Sequence, residues 1–235
     1  MKAVGITGYK KSGKTTLGVR LAAELAKDGL AVGVIKHTHE DIDLPATDST
    51  RYSQVSGFVA VIAGQRTEII LKGEQTIDDV LRYFNGDVLI VEGFKHSKRF
   101  PKIVCLREDS ERKDLCDGLE IATVSLGKEL GDYDIMNDVH CRRLADLIME
   151  KGFILPALDC GHCEYKSCEA LAKAIVSGKA TLEACVSLNP PISIKVGDKE
   201  LPLNPFTANF CKSAILGMLS SLKGFKKAEI TIQIP

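Results

Sequence analysis

Eight residues near the start of the chain have the types and spacing of a phosphate-binding loop. They read Gly8-Tyr9-Lys10-Lys11-Ser12-Gly13-Lys14-Thr15 and fit the pattern G-x-x-x-x-G-K-[ST] without a mismatch. In such a loop, backbone N–H groups and the positive end of the following helix surround phosphate oxygens, and glycine permits their close approach. The ammonium of Lys14 is predicted to reach the β- and γ-phosphates, and the Thr15 hydroxyl to bind Mg²⁺. The pattern predicts a nucleotide site formed by Gly8, Lys11, Ser12, Gly13, Lys14, Thr15 and Thr16.

Further polar residues follow two predicted strands whose carboxyl ends would meet at the same edge of a parallel sheet. Glu92 comes directly after the apolar run Val88–Val91 and is the candidate for catalysis, because it could hold Mg²⁺ through water or orient a nucleophile. An exposed acid at a strand end is the alternative. A second group follows the run Ala31–Lys36 and is predicted to line the rim of the site: His37, His39, Asp48 and Ser49. No Asn-Lys-x-Asp segment follows a late strand, so no motif identifies the base.

Four of the eight cysteines lie within 26 residues, with the spacing C-x2-C-x4-C-x16-C. They are Cys160, Cys163, Cys168 and Cys185. Four thiolates can hold either tetrahedral Zn²⁺ or a 4Fe–4S cluster. Zinc ribbons usually pair two C-x2-C knuckles, whereas three close cysteines with a distant fourth suit a cluster, so the spacing favours 4Fe–4S and leaves zinc and unliganded cysteines as alternatives. His162 is predicted to lie beside the ligands, while Cys105 and Cys141 are predicted to be buried, unreactive thiols.

Composition limits the classes of protein that remain. The chain has 235 residues, and its 31 basic and 31 acidic side chains leave no net charge. This balance argues against a polybasic protein that binds nucleic acid through many phosphates. No apolar run approaches the roughly 18–20 residues of a membrane helix, and the first residues lack the pattern of a secretory signal. We therefore expect a soluble, cytoplasmic protein with neither nucleic acid nor membrane as a partner.

The elements that must position these residues alternate between strands and helices over residues 1–152. Near-continuous apolar strands separated by helices imply an α/β fold of the P-loop NTPase class, with a largely parallel sheet covered by helices on both faces. The runs Gly57–Ala63 and Thr67–Leu71 are predicted to form a hairpin at the antiparallel edge of that sheet. A cysteine-rich helical segment is expected over 153–190. Residues 191–235 are predicted to form a ββαβ unit that ends in the strand AEITIQI.

Three segments of the first 150 residues resemble the MobB family of molybdopterin–guanine dinucleotide biosynthesis adaptor proteins. They read GITGYKKSGKTTL, VIKHTHEDIDLPATDSTRYSQVSG and DVLIVEGFKHSKRFPKI. The resemblance implies a GTP-binding protein with at most weak GTPase activity, a homodimer, that assists a guanylyltransferase joining GMP to molybdopterin. Family members often carry HTHHD and PGKDS where this chain has HTHED and PATDS. The role of Glu40 is therefore open, whereas His37, His39, Asp48 and Ser49 are retained.

The segment LDCGHCEYKSCEALAKAIVSGKATLEAC resembles the iron–sulfur domain of Rnf-type electron-transport B subunits and corrinoid iron–sulfur proteins. The shared features are CGxC, the third cysteine, a helix and the last cysteine; the proline that often follows the last cysteine is displaced here. The two resemblances together imply an accessory protein of molybdenum or tungsten cofactor biosynthesis that uses GTP, Mg²⁺ and a 4Fe–4S cluster. Molybdenum or tungsten enzymes are possible further partners. A small P-loop kinase or synthetase, and a nucleotide-gated redox or metallochaperone module, remain alternatives.

Overall fold

The computed structural model describes residues 1–38, 47–127, 130–188, 190–197, 199–225 and 230. Within these residues the main sheet has six strands, and every pairing between neighbouring strands is parallel. Ten strands are described: β1 (Lys2–Gly8), β2 (Val32–Lys36), β3 (Phe58–Ala63), β4 (Arg66–Leu71), β5 (Val88–Glu92), β6 (Lys102–Leu106), β7 (Glu120–Ser125), β8 (Tyr133–Asp134), β9 (Lys195–Val196) and β10 (Lys199–Glu200). The order in the main sheet is β2-β5-β1-β6-β7-β8.

Helices cover both faces of the main sheet. The described helices are α1 (Lys14–Lys27), α2 (Asp48–Val55), α3 (Ile77–Leu81), α4 (Arg112–Leu115), α5 (Asp138–Lys151), α6 (Cys168–Val176) and α7 (Pro205–Ser220). Helices α1 and α5 pack together on one face, where Leu21 and Leu144 join the same buried cluster as the strand residue Ile90. On the opposite face, Ile77 and Phe100 pack against Leu89. The predicted parallel α/β sheet with helices on both faces is therefore confirmed.

The predicted hairpin is present, but its predicted place at the edge of the main sheet is wrong. Strands β3 and β4 pair only with each other and form a separate two-stranded sheet. Helix α2 precedes the hairpin and packs on β3, so the chain leaves the edge strand β2 before the hairpin begins. In α2, β3 and β4, all of which are described, no residue is buried. The hairpin therefore presents apolar side chains such as Phe58 and Ile62 to solvent.

The end of the chain matches part of its predicted ββαβ pattern. Strands β9 and β10 form an antiparallel hairpin, and α7 follows, begun by the Asn204 side chain accepting from the Thr207 N–H. The predicted last strand, AEITIQI, lies outside the described residues except for Ile230. Among the described helices, none combines the length and the apolar character that crossing a membrane would require.

The cysteine-rich segment packs against the sheet domain. After α5, the backbone N–H of Phe153 donates to the carbonyl of Ala3 at 3.1 Å, so the segment starts beside β1. Leu155 and Leu171 then share a buried cluster with Leu119 of the sheet domain. The two parts of the chain thus have a common apolar contact in addition to their covalent connection.

Ionic contacts join the same two parts of the chain. The ammonium groups of Lys98 and Lys102 lie 2.6 and 2.8 Å from Asp117 Oδ2. Lys98 Nζ also lies 3.4 Å from Glu169 Oε1 in α6, and Lys102 Nζ donates to the carbonyl of Lys95 at 2.8 Å. Lys102 is fully buried, and this burial lowers the pKa of its ammonium. The loop between β5 and β6 is therefore tied both to Asp117 and to the cysteine-rich segment.

The substitution Asp117→Asn is expected to lower the free energy of unfolding by about 2 kcal/mol at pH 7, because it leaves the buried charge of Lys102 without a counter-charge. Burial by itself raises the pKa of Asp117, but hydrogen bonds from Lys102 and Lys98 outweigh it and hold that pKa below its ordinary value. The stabilisation is therefore present above the unfolded pKa and is lost as the pH falls through the folded pKa. Urea unfolding across this pH range measures it.

The matched control is Lys98→Met, which removes a partly exposed partner of the same carboxylate and is expected to cost at most about 1 kcal/mol. A D117N protein that unfolds at the same urea concentration as the parent would show that Lys102 is not held by this carboxylate.

Candidate functional site

The predicted phosphate loop lies between the end of β1 and the start of α1. Gly8 permits its fold, because a Cβ there would lie 2.5 Å from Ser12 Oγ and 2.6 Å from the Cys105 carbonyl oxygen. Gly13 precedes α1 with a φ of 91°, in the left-handed region that favours glycine. Gly13 has no side chain to cap the helix, and no acidic residue occupies the first turn of α1. The N–H groups at the start of α1 therefore have no partner from an N-cap side chain and can donate to a bound anion.

Two side-chain oxygens of the loop region are buried and unpartnered. Ser12 is 2 % exposed, and neither its Oγ nor the Oγ1 of Thr7 has a hydrogen-bond partner among the described residues. The Lys14 ammonium folds back over the loop and donates to the Tyr9 carbonyl at 2.7 Å. A buried hydroxyl with no partner is costly unless a ligand satisfies it. These groups, together with the uncapped helix start, form a cradle whose donors fit the phosphate oxygens of a nucleotide.

Glu92 is brought to the loop by the order of the strands. Because β5 lies beside β1, Glu92 pairs in register with Ile6, and the Thr15 hydroxyl donates to Glu92 Oε1 at 2.8 Å. Glu92 is only 7 % exposed, so its carboxylate is positioned by neighbouring side chains and is largely shielded from water. The Thr15 hydroxyl is predicted to bind Mg²⁺, and a buried carboxylate oxygen next to it is a suitable second ligand for the same ion.

Lys36 joins this pair, although the sequence had not identified it. It is the last residue of β2 and lies opposite Glu92 in the register of β2 and β5. Its Nζ lies 3.5 Å from Glu92 Oε1 and 3.4 Å from Thr15 Oγ1. The only sequence signal was its place at the end of a predicted strand next to the rim residues. The ammonium supplies a positive charge to the same carboxylate that is proposed to hold the metal ion.

The predicted rim residues are placed unequally. His37 follows β2, its backbone N–H donates to the Glu92 carbonyl at 2.9 Å, and its ring lies 4.5 Å from that of Phe94. Asp48 and Ser49 begin α2, where their described contacts are with near neighbours in sequence, Asp48 with Arg51 at 3.6 Å. His39 and Glu40 lie outside the described residues. The described contacts therefore bring His37 to Glu92 and leave Asp48 and Ser49 apart from it.

Two cationic side chains flank the aromatic ring of the loop. Lys95 Nζ lies 5.8 Å and Arg107 Cζ 5.3 Å from the centre of the Tyr9 ring. Lys11 and Thr16, also predicted site residues, lie exposed in the loop and in the first turn of α1. Lys95 and Arg107 thus place two cations beside the loop, of which Arg107 is also paired with Glu111.

The four clustered cysteines line one small pocket, together with apolar side chains that include Leu158, Leu171 and Val186. Cys160 and Cys163 come from a loop, Cys168 is the first residue of α6, and Cys185 follows a 3-10 helix over Leu182–Ala184. The Cys168 N–H donates to Asp159 Oδ1 at 2.7 Å, which holds the loop against the helix. In the described part of the chain, no three His, Cys, Asp or Glu side chains form a site for a single metal ion. The donor set of four thiols in a mostly apolar pocket fits an iron–sulfur cluster.

The surroundings of these thiols differ. Burial alone raises the pKa of Cys160, but hydrogen bonding to Ser187 and to His162 outweighs it, so this pKa lies below its ordinary value. Burial raises the pKa of Cys168 and of Cys185. His162 thus acts on Cys160 from beside the pocket, and Ser187 Oγ lies 3.5 Å from Cys160 Sγ.

The two scattered cysteines predicted to be buried are so. Cys105 lies in β6 and Cys141 in α5, and both are almost fully excluded from solvent. Burial raises the pKa of Cys105 to about 12, which keeps it a protonated, unreactive thiol. These two positions belong to the packing of the sheet domain.

Known families match the sheet domain and the cysteine-rich segment separately. Residues 3–126 match the family described as "MobB: Molybdopterin guanine dinucleotide synthesis protein B", and residues 155–187 match one described as "Putative Fe-S cluster". A relative from Methanocaldococcus jannaschii, named "Putative molybdopterin-guanine dinucleotide biosynthesis adapter protein", is 33% identical over 95% of this chain and 93% of its own. The Escherichia coli molybdopterin-guanine dinucleotide biosynthesis adapter protein is 30% identical over 63% of this chain and 91% of its own.

Solved structures show a similar fold. Bacillus subtilis MobB superposes with a TM-score of 0.52 at 22% identity, covering 65% of this chain and 99% of its own. A MobB homologue from Bacillus stearothermophilus gives 0.50 at 24% identity, covering 64% and 99%. These structures cover about two thirds of this chain. The cysteine-rich segment is matched by the second family, and the Methanocaldococcus jannaschii relative covers 95% of this chain.

Proposed function

The chain belongs to the MobB family, and we propose that it is a GTP-binding accessory protein of molybdenum or tungsten cofactor biosynthesis that assists the guanylylation of molybdopterin. The observation that carries the proposal is the phosphate loop, in which a buried Ser12 hydroxyl, without a partner among the described residues, lies just before α1. A protein that presents such a cradle binds a phosphate-bearing ligand, and the family identifies the process that uses it. The named relatives support the step at which it acts.

The proposed nucleotide site has a phosphate part and a metal part. The phosphates would be held by Gly8, Lys11, Ser12, Gly13, Lys14, Thr15 and Thr16. Thr15 and Glu92 would hold Mg²⁺, which neutralises phosphate charge when bound. Because the Glu92 carboxylate already contacts the Thr15 hydroxyl and Lys36, it suits metal holding better than proton abstraction. A Glu92 that holds the metal ion is not available as a general base for hydrolysis, which agrees with at most a weak GTPase activity. The proposed rim residues are His37, His39, Asp48 and Ser49.

The substitution Glu92→Gln is expected to weaken GTP binding about 10-fold in the presence of Mg²⁺ and not to weaken it in EDTA. The reason is that the charged oxygen beside Thr15 is lost while the phosphate cradle is retained. Calorimetric titration with GTP, with and without Mg²⁺, measures both affinities. The matched control is Asp114→Asn, which alters a carboxylate near Tyr9 that makes no contact with Thr15. If E92Q keeps the Mg²⁺ dependence of the parent, Glu92 does not hold the ion.

We propose a 4Fe–4S cluster as the second bound group. Cys160, Cys163, Cys168 and Cys185 would hold it, and the cluster supplies a one-electron centre or a rigid cross-link of a small domain. The support is the common pocket of the four thiols and the family match over 155–187. Ser187 and His162 would hydrogen-bond near the Cys160 sulfur, where such contacts tune a cluster.

We further propose a homodimer, a molybdopterin guanylyltransferase as the partner, and a cytoplasmic location. The α2–β3–β4 unit supports the dimer, because Val55, Phe58 and Ile62 expose large apolar side chains that a second copy would cover. None of the eight cysteines, all of which the structure describes, forms a disulfide, which suits a reducing compartment. Molybdenum or tungsten enzymes are the proposed recipients of the finished cofactor.

A reconstituted guanylylation reaction tests the function. The full chain, prepared anaerobically, is added to a purified molybdopterin guanylyltransferase with GTP and molybdopterin, and the dinucleotide formed is measured. We expect more product with the parent chain than without it, and co-elution of the two proteins on gel filtration. Phosphorylation of a small acceptor by ATP at ordinary enzyme rates would instead support the kinase alternative and contradict the accessory role.

A further inference from the structure

Two loops lie beside the phosphate loop on the side away from Glu92. They follow β7 and β8, and a Cβ at Gly13 would lie 2.9 Å from Ile135 Cδ1 and 3.7 Å from Leu126 Cδ1. In the sheet order, β5 and β2 flank β1 on one side, whereas β6, β7 and β8 lie on the other. The proposed metal position, on the side of β5 and β2, belongs to the terminal phosphates. The nucleoside end of a bound nucleotide is therefore directed toward the carboxyl ends of β7 and β8.

Asp134 is fixed in position between these two loops. It ends β8, and its Oδ1 accepts from the N–H of Gly127 in one loop and of Met136 in the other, each at 2.9 Å. Its own N–H donates to His140 Nδ1 at 2.9 Å. Hydrogen bonds from the Met136 and Gly127 N–H groups hold the pKa of Asp134 below its ordinary value, so the group is a carboxylate at neutral pH. Oδ2 accepts no hydrogen bond from the part of the chain that the structure describes.

Apolar side chains flank this carboxylate. Leu126, which precedes Gly127, is 44 % exposed, and Met136, whose own N–H donates to Asp134, is 56 % exposed. Exposed apolar surface around one fixed polar group is the usual make-up of a site for a flat, partly apolar ligand such as a purine base. Nearby, Arg20 forms an ion pair with Asp138, the first residue of α5.

We infer that Asp134 determines the base selectivity of the site, its Oδ2 accepting from the ring N1–H and the 2-amino group of guanine. Guanine presents two adjacent donors on this edge, and one carboxylate oxygen retains two lone pairs for them. Adenine presents an acceptor at N1 and no 2-amino group, so the carboxylate disfavours it. The inference rests on the proposed function, because it takes the phosphates to lie in the loop at Gly8–Thr15. It supplies the base reader for which no motif was found in the sequence.

The substitution Asp134→Asn tests this with little disturbance of the loops. The asparagine Oδ1 can still accept from Gly127 and Met136, while its NH₂ replaces the open oxygen with a donor. Xanthine carries a carbonyl where guanine has the 2-amino group, so this donor favours xanthosine triphosphate. Affinities of the full-length parent and variant for Mg²⁺ complexes of GTP, ATP and xanthosine triphosphate are measured by calorimetry. Asp138→Asn, a charge-matched change in the next element, is the control.

We expect the parent to bind GTP about 10- to 100-fold more tightly than ATP. D134N is expected to lose about the same factor for GTP, to bind xanthosine triphosphate about 10-fold more tightly than it binds GTP, and to bind ATP no more weakly than the parent does, while D138N keeps the parent's preference. A D134N protein that retains the GTP preference, or that loses GTP and ATP affinity equally, overturns the inference and leaves the proposed function intact. A parent protein that binds GTP and ATP with equal affinity overturns both the base selectivity and the assignment of GTP as the nucleotide. If that binding still depends on Lys14, the phosphate loop remains the nucleotide site.

Discussion

The substitution Lys14→Ala is expected to weaken GTP binding by at least about 100-fold, because it removes charge-assisted hydrogen bonds to two phosphate groups. In the structure the Lys14 ammonium donates to the Tyr9 carbonyl within the loop. Its removal therefore leaves no buried charge behind, and the fold should be retained. Calorimetric titration of GTP into the parent and the variant gives the affinity ratio, and far-UV circular dichroism gives the thermal midpoint of each.

Lys27→Ala is the matched control for this prediction. Lys27 lies in the last turn of the same helix and pairs with Glu24 at 2.5 Å on the surface, so its loss should change neither affinity nor folding by more than a small amount. A K14A protein that binds GTP as tightly as the parent would remove the phosphate loop as the nucleotide site, whatever the result for Lys27.

Anaerobically prepared protein is expected to be brown and to hold about four iron and four sulfide per chain. The double substitution Cys160→Ser and Cys163→Ser is expected to reduce the iron to near zero, because two of the four thiolate ligands are lost. Iron and sulfide analysis, together with visible absorption, measures the outcome. The physical basis is that the four sulfur atoms line a single pocket, so two serines leave too few thiolates for a cluster.

Cys116→Ser is the control, since Cys116 is partly buried in the sheet domain and takes no part in the pocket. It should leave the iron content unchanged. Stoichiometric zinc with no visible absorption would favour the tetrahedral alternative. Full iron content in the double variant would show that these cysteines are not ligands.

The parts of the site that lie within one stretch of sequence were predictable. The phosphate loop is a local structure whose glycines, lysine and hydroxyl must have a fixed spacing, so its residues could be named from the sequence. Glu92 was predicted by a weaker argument, that buried strands end at the functional edge of a parallel sheet. The place of Lys36 beside Glu92 and the role we propose for Asp134 were not, because each depends on which strands are neighbours and in what register. That order is set by long-range packing and leaves no local pattern.

The misplaced hairpin has a related cause. Its alternating strands predict pairing with each other, which the structure confirms, but they say nothing about pairing with a third strand. Helix α2, which comes between β2 and the hairpin in the chain, was not predicted, because only Tyr52 and Val55 of its eight residues are apolar. The grouping of the four cysteines was predicted from spacing alone, whereas the contact of their segment with Leu119 needed the fold.

The ion pair between Lys98 and Glu169 joins the loop that starts at Glu92 to the helix that starts at Cys168. Thermodynamic linkage then requires reciprocity: the factor by which iron loading changes GTP affinity equals the factor by which GTP changes the affinity for iron. A partly exposed pair contributes at most about 1 kcal/mol, so it can transmit about a fivefold effect in either direction. A larger mutual effect would have to pass through the apolar contact of Leu119 with Leu155 and Leu171. The measured size of the coupling therefore indicates which of the two contacts transmits it.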